Sequence, residues 1–162
     1  INYFMYGTSS ITKGSKIMGL DMYLRGDKFV SQWDHSQQKP EGGSLEVKRP
    51  VVDGFDVETY VLDMGTWRKF APLHVYIVNE FADGVDKCQR IDLEAEQLRK
   101  IANALRDNKL PSNDDCYGCF FGSPEMWDED RSEGKEHAKL FDNAADWVES
   151  TSWASVTYQA SW

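Results

Sequence analysis

"GTWRKFAPLHVYIV", residues 65–78, is where the chain changes period, and the fold class turns on how that change is read. Upstream, "LEVKRPVVDGFDVETYVLD" (residues 45–63) alternates apolar and polar positions on both sides of Asp53 and Gly54. That dipeptide accepts the positive φ angles of a type I′ turn, so it predicts a hairpin. Pro50 cannot donate to a ladder, which makes the first arm an edge strand. Downstream, Pro72 would break a helix running through from Thr66 but suits a first helical position. A helix is therefore predicted from about Pro72, with Leu73, Tyr76, Ile77 and Phe81 as its apolar stripe and Gly84 beyond its end. Trp67, Arg68 and Lys69 fall on the connection, beside the free N–H groups of the helix start, which favour anions.

Outward from this junction, "GLDMYLR" (residues 19–25) alternates in period two and predicts a half-buried strand. Residues 27–43, rich in Gln, Ser and Lys with a Gly42-Gly43 pair, predict a loop or insertion. A second helix is predicted over about residues 93–107, capped by Asp92, with Leu98, Ile101, Ala102 and Leu105 inward. "CYGCFFGS" reads as a short buried strand, and the acidic run "PEMWDEDRSEGKEH" as a loop. A third helix over about residues 135–149 has His137, Leu140, Phe141, Ala144, Trp147 and Val148 on one stripe. "SWASVTYQASW" alternates again and closes the chain as a strand. Strands and helices interleave irregularly. The fold class expected is a single α+β domain over residues 18–162, with an antiparallel or mixed sheet and about three packed helices.

With 162 residues, 41% hydrophobic and 13% aromatic, the chain can bury one core. No apolar run approaches the ~20 residues that cross a bilayer, so no membrane role is expected. Net charge is -9, from 27 acidic and 18 basic residues, which argues against direct nucleic-acid binding. An odd number of cysteines, Cys88, Cys116 and Cys119, favours a reducing cytoplasm. The segment from Lys13 to Ile17, ahead of Met18, is encodable by purine-rich codons of the ribosome-binding type. Met18 is accordingly expected as the start, with residues 1–17 as translated leader or a flexible arm.

Four blocks in order carry a resemblance: "MGLDMYL" from Met18, "GTWRKF" from Gly65 followed by Leu73 and His74, "FFGS" from Phe120, and "YQASW" from Tyr158. Together they resemble a family of uncharacterised bacteriophage and prophage proteins with an MGLDMY start, a YWRK…IH segment, an FFFGS-like strand and an SSW-like end. The resemblance covers residues 18–162 in scattered blocks. It implies a phage-related cytoplasmic protein with no settled activity. A phosphoglycerate-kinase label carried by some relatives does not fit a chain this short without a glycine-rich phosphate loop. Thr66 stands where the family has an aromatic, Ala71 where Asn is common, and Ala160 where Ser is common; Ala71 removes a natural helix cap.

Three constellations could carry chemistry. Arg68, Lys69 and His74, with Trp67 and Asp21 nearby, could hold a phosphate-bearing or nucleotide-like anion with His74 as general acid or base. Against this stands a core Trp67, solvated or carboxylate-paired cations, and a His74 that only flanks the stripe. Cys88, Cys116, Cys119 and His137 could form a zinc site, against buried free thiols. Glu125, Asp128, Glu129 and Asp130 fit no calcium loop and are expected to be solvated. The remaining tryptophans, Trp127, Trp147, Trp153 and Trp162, are expected in the core rather than paving a ligand face. No motif implies a cofactor. The function expected first is a phage accessory protein that binds a host or phage protein through its acidic surface. Second comes an anionic small molecule at Arg68, Lys69 and His74. The first requires an exposed patch and a filled interior around Trp67; the second requires those three side chains to share one space.

Overall fold

A computed structural model describes residues 19–116 and 121–162; within these, nothing is described of the side chains of residues 35–38. The expected leader and start therefore lie outside the described residues, as do Cys119 and most of the expected strand around it. The chain is a single α+β domain. Its main sheet is antiparallel and four-stranded, built from β1 (Asp21–Phe29), β6 (Thr59–Arg68), β7 (Ile91–Leu93) and β8 (Ala154–Ser161) in the order β6-β1-β8-β7.

β1 is one of the two inner strands, and its alternation sets the two faces. Met22 and Leu24 are fully buried, joined on the same face by Val156, Tyr158 and Ala160 of β8. Asp21, Tyr23, Arg25 and Asp27 point the other way, as period two requires. In β6, Trp67 is paired with Met22 and Gly65 with Leu24, after which Met64 is left over as a bulge between Leu24 and Arg25. Two glycines make room for aromatics on the covered face. A Cβ on Gly65 would sit 2.5 Å from the Trp67 ring, and one on Gly26 would sit 2.4 Å from Met64 Cε and 2.9 Å from the Trp147 ring.

Four helices occur among the described residues: α1 (Ala71–Phe81), α2 (Ala95–Arg106), α3 (Pro124–Ser132) and α4 (Gly134–Ser150). Leu98, Ile101, Ala102 and Leu105 of α2 share the core with Ala138, Phe141, Ala144 and Ala145 of α4. Gly134 marks the closest approach, where a Cβ would lie 2.5 Å from the Leu105 carbonyl oxygen.

Several expectations are corrected. Residues 27–43 are not a loop: β1 continues to Phe29, and β2 (Trp33–Gln38) pairs with β3 (Ser44–Glu46) across a turn with Gly42 at φ 90° and Gly43 at φ 93°. A two-stranded ribbon with no sheet above it does not need alternation, so its polar sequence hides it. The hairpin at Asp53 and Gly54 forms as expected, with φ of 51° and 84° between β4 (Val51–Val52) and β5 (Phe55–Asp56), but it stands apart from the main sheet. The first helix starts at Ala71, one residue early. Asp92 is no cap. It lies within β7, and α2 is capped by Glu94, whose side chain and that of Gln97 form a reciprocal capping box. The acidic run is mostly helical: Pro124 opens α3, and Trp127 is its one buried side chain. Trp153 and Trp162, expected in the core, are 67% and 51% exposed.

Candidate functional site

Trp67 and Arg68 are the last two residues of β6, not part of a connection, and adjacent strand residues face opposite ways. Trp67 turns inward. Its ring stacks on Phe141 with centroids 5.2 Å apart and an interplanar angle of 13°, and its indole Nε1 donates to His137 Nδ1 at 3.1 Å. Arg68 turns outward and lies 3.6 Å from Asp21, its partner in the β1 register. Both side chains are well exposed, so this pair contributes about 0–1 kcal/mol. Lys69 reverses the chain at φ 61°: its N–H donates to the Leu20 carbonyl and its own carbonyl accepts from Trp127 Nε1 at 2.9 Å.

His74 belongs to the other side of the sheet. It lies on the buried side of α1, only 2% exposed. One ring nitrogen, Nδ1, is 2.8 Å from the Tyr158 hydroxyl, and Nε2 is 2.9 Å from Asp86 Oδ2. The edge of Phe121 closes over the ring. Burial, with Asp86 adding to it, pushes the Tyr158 hydroxyl well above its ordinary pKa, so it stays protonated as a donor. With both nitrogens engaged, His74 fixes α1 to β8 and the loop after α1. The expected convergence of Arg68, Lys69 and His74 does not occur, because the sheet separates Arg68 and Asp21 from the histidine.

The zinc set includes Cys119, which lies outside the described residues; among the described residues no group of three or more His, Cys, Asp or Glu is placed to hold a metal. Cys116 is buried and its thiol points to the Ser112 carbonyl; burial raises its pKa. Cys88 sits at φ 55° in the loop between α1 and β7. The Trp67 indole can only donate, so His137 Nδ1 must accept, which puts the proton of a neutral ring on Nε2. That buried Nε2 has no hydrogen-bond partner; Asp130 and Glu133 carboxylate oxygens stand 4.0 Å away. Burial lowers the His137 pKa, and burial with the Glu133 and Glu129 charges raises Asp130 to about 6.

What the sequence reading missed is on the surface. Phe29, Trp33, Val47, Val51, Val52, Phe55, Tyr60, Val61 and Leu62 are all 39–78% exposed, Phe55 most of all. They lie at the end of β1, on and beside the two hairpins, and on the first half of β6, an edge strand of the main sheet. Backbone bonds from Val30 to Glu58, Val47 to Gln32 and Val57 to Pro50 tie these segments into one arm. The signal available in the sequence was the Val51-Val52 pair and the Tyr60-Val61-Leu62 run, which break the alternation, are apolar on both strand faces and so exceed one buried side. Among the described residues no helix is long and apolar enough to cross a membrane. No family model, no curated protein and no solved structure matches this chain.

Proposed function

We propose that this protein is a non-catalytic binding module that engages another protein through the apolar arm and the free edge of β6. The observation that carries this reading is the concentration of exposed large apolar side chains on one arm, since monomers seldom expose a broad contiguous apolar patch without a use for it. Among the described residues β6 has no strand on its outer side, so it adds a row of unpaired backbone donors and acceptors, and its stretch from Thr59 to Asp63 contains neither Lys nor Pro to guard it. An extended segment of the partner adding alongside β6 would satisfy that row and cover Tyr60, Val61 and Leu62. The net charge of -9 favours a partner with basic flanks and disfavours nucleic acid. The filled interior around Trp67 supports the same reading. In the setting that the sequence resemblance implies, the partner is a host or phage protein.

The test is affinity capture from bacterial lysate with the wild-type chain and with a Val52→Lys, Phe55→Lys double variant. A stoichiometric partner retained by the wild type and lost from the variant, at unchanged circular dichroism, is expected. Equal retention by both would remove the arm from the reading.

A further inference from the structure

We infer that the open face of the sheet carries an oxyanion-binding recess, framed by Arg25 and Arg90, that accepts a phosphate or carboxylate group. The inference does not rest on partner binding at the arm, although Val61 borders both surfaces.

The recess follows from strand alternation. With Met22, Leu24, Val156 and Tyr158 turned to the helices, the opposite face presents Tyr23, Arg25 and Asp27 from β1, Thr157 and Gln159 from β8, and Val61 from β6. A bare sheet face would be flat, but here the loop between α1 and β7 folds over its edge. Gln159 Nε2 donates to the Cys88 carbonyl at 3.0 Å, and Arg90 reaches Asp27 Oδ2 at 2.9 Å and Thr157 Oγ1 at 3.3 Å. The result is a walled cleft of about 150 Å³. That is room for a phosphate with a few waters, given ~30 Å³ per water in the liquid.

The donors in this cleft outnumber its acceptors. Arg25 makes no ion pair among the described residues; its guanidinium lies 4.7 Å from the Tyr23 ring centroid, which holds the group by its face and leaves the N–H donors in its plane unused. Two of the carboxylates around it are otherwise engaged. Asp27 pairs with Arg90, and Asp63, opposite Arg25 in the register, accepts from the Gly65 N–H and the Thr66 hydroxyl. Asp92 stands across from Thr157 on β7 at the far edge. Thr157 is 4% exposed, and because its oxygen accepts from Arg90, its own O–H remains to be donated. Two guanidiniums against one carboxylate leave the lining net positive in a chain of net charge -9. An acceptor-only group is the complement of such a lining, and guanidinium forks suit phosphate and carboxylate alike.

The experiment is a titration of the full chain with inorganic phosphate and, separately, with succinate, each against sodium chloride at matched ionic strength. Binding is followed by amide and arginine Nε chemical shifts. Saturable shifts at Arg25, Thr157 and Gln159 are expected with at least one of the two anions, and which one responds identifies the chemistry. Arg25→Gln should weaken that binding about tenfold, while Arg68→Gln, on the same face but outside the recess, should leave it unchanged. Shifts no larger than those with chloride would overturn the proposal. So would equal affinity in wild type and Arg25→Gln, or an equal loss in Arg68→Gln. Because the shifts are read residue by residue on the wild type, the outcome does not depend on a variant that folds.

Discussion

The two halves of β6 both carry large aromatic or aliphatic side chains on the covered-face row, and these meet opposite fates. From Gly65 to Trp67 the strand lies beneath α4, with the indole stacked on Phe141 and bonded to His137. From Tyr60 to Leu62 it is at least 40% exposed, although Tyr60 and Leu62 occupy the covered-face row opposite Lys28 and Gly26. The difference is the reach of the helix. α4 passes over Trp67 at His137 and over Gly26 at Trp147, then ends at Ser150, so among the described residues no helix covers the far end of the strand. Apolar composition decides what a strand could bury; the layer above it decides what is buried. The exposed half is tied to hairpins that likewise have no layer above them among the described residues.

The sharpest way to break that contrast is to hollow out the covered half. Trp67→Ala removes a stacked, hydrogen-bonded ring from the core and leaves His137 with neither ring nitrogen partnered. A loss of about 3–5 kcal/mol is expected from large-to-small core substitutions of this kind, read from the midpoint of urea unfolding. A loss under about 1 kcal/mol would mean that the two halves of β6 are not different environments.

The contrast within β6 was not legible in advance, since Trp67 reads as part of a connection, but much of the surrounding fold was, and the unread parts have physical causes. Alternation at Met22 and Leu24, the Asp53-Gly54 turn and the α2 and α4 stripes follow directly from period and turn chemistry. The helix α3 was hidden because one buried residue, Trp127, makes no stripe among its charged neighbours. The strand β7 was hidden because three residues directly before a helix merge into its pattern. The proposed anion cluster failed for a reason the sequence did contain: if Trp67 is core, alternation sends Arg68 to the opposite face, away from any helix that packs on the tryptophan. Asp86 and Tyr158, the partners of His74, are 12 and 84 positions away, and no local pattern announces them.

A smaller effect comes from the charged rim of the covered half. Asp130 has its pKa raised to about 6 in the folded protein by burial and by Glu133 and Glu129. A carboxyl raised above its unfolded value binds a proton more tightly when folded, so its contribution falls as pH rises from about 4 to 6. The His137 pKa is lowered, which acts in the opposite sense: its contribution falls as pH drops below the ordinary histidine range. The two are separated by Asp130→Asn, which removes the first and retains the histidine. At pH 7 the variant is expected to be more stable than wild type by about 1 kcal/mol, the full shift being discounted for the solvent that reaches Asp130. The difference should shrink towards pH 4; a constant difference across the range would rule out the titration of Asp130 as its source.

The smallest expected effect is in the exposed half and sharpens the comparison most. Phe55 is 78% exposed at the start of β5, so Phe55→Ser removes a ring that has little core to lose. Stability should change by no more than about 0.5 kcal/mol, as for surface substitutions generally. The ring of Trp67 and the ring of Phe55 would then differ several-fold or more in what the fold draws from them. An aromatic side chain that contributes so little to its own domain is available to something else, and an equally small change for Val52→Ser would extend that statement to the whole hairpin. If Phe55→Ser instead costs as much as a core substitution, the arm packs on the body in solution and its apolar side chains are part of the fold. The surface proposed for a partner would then be occupied by the protein itself.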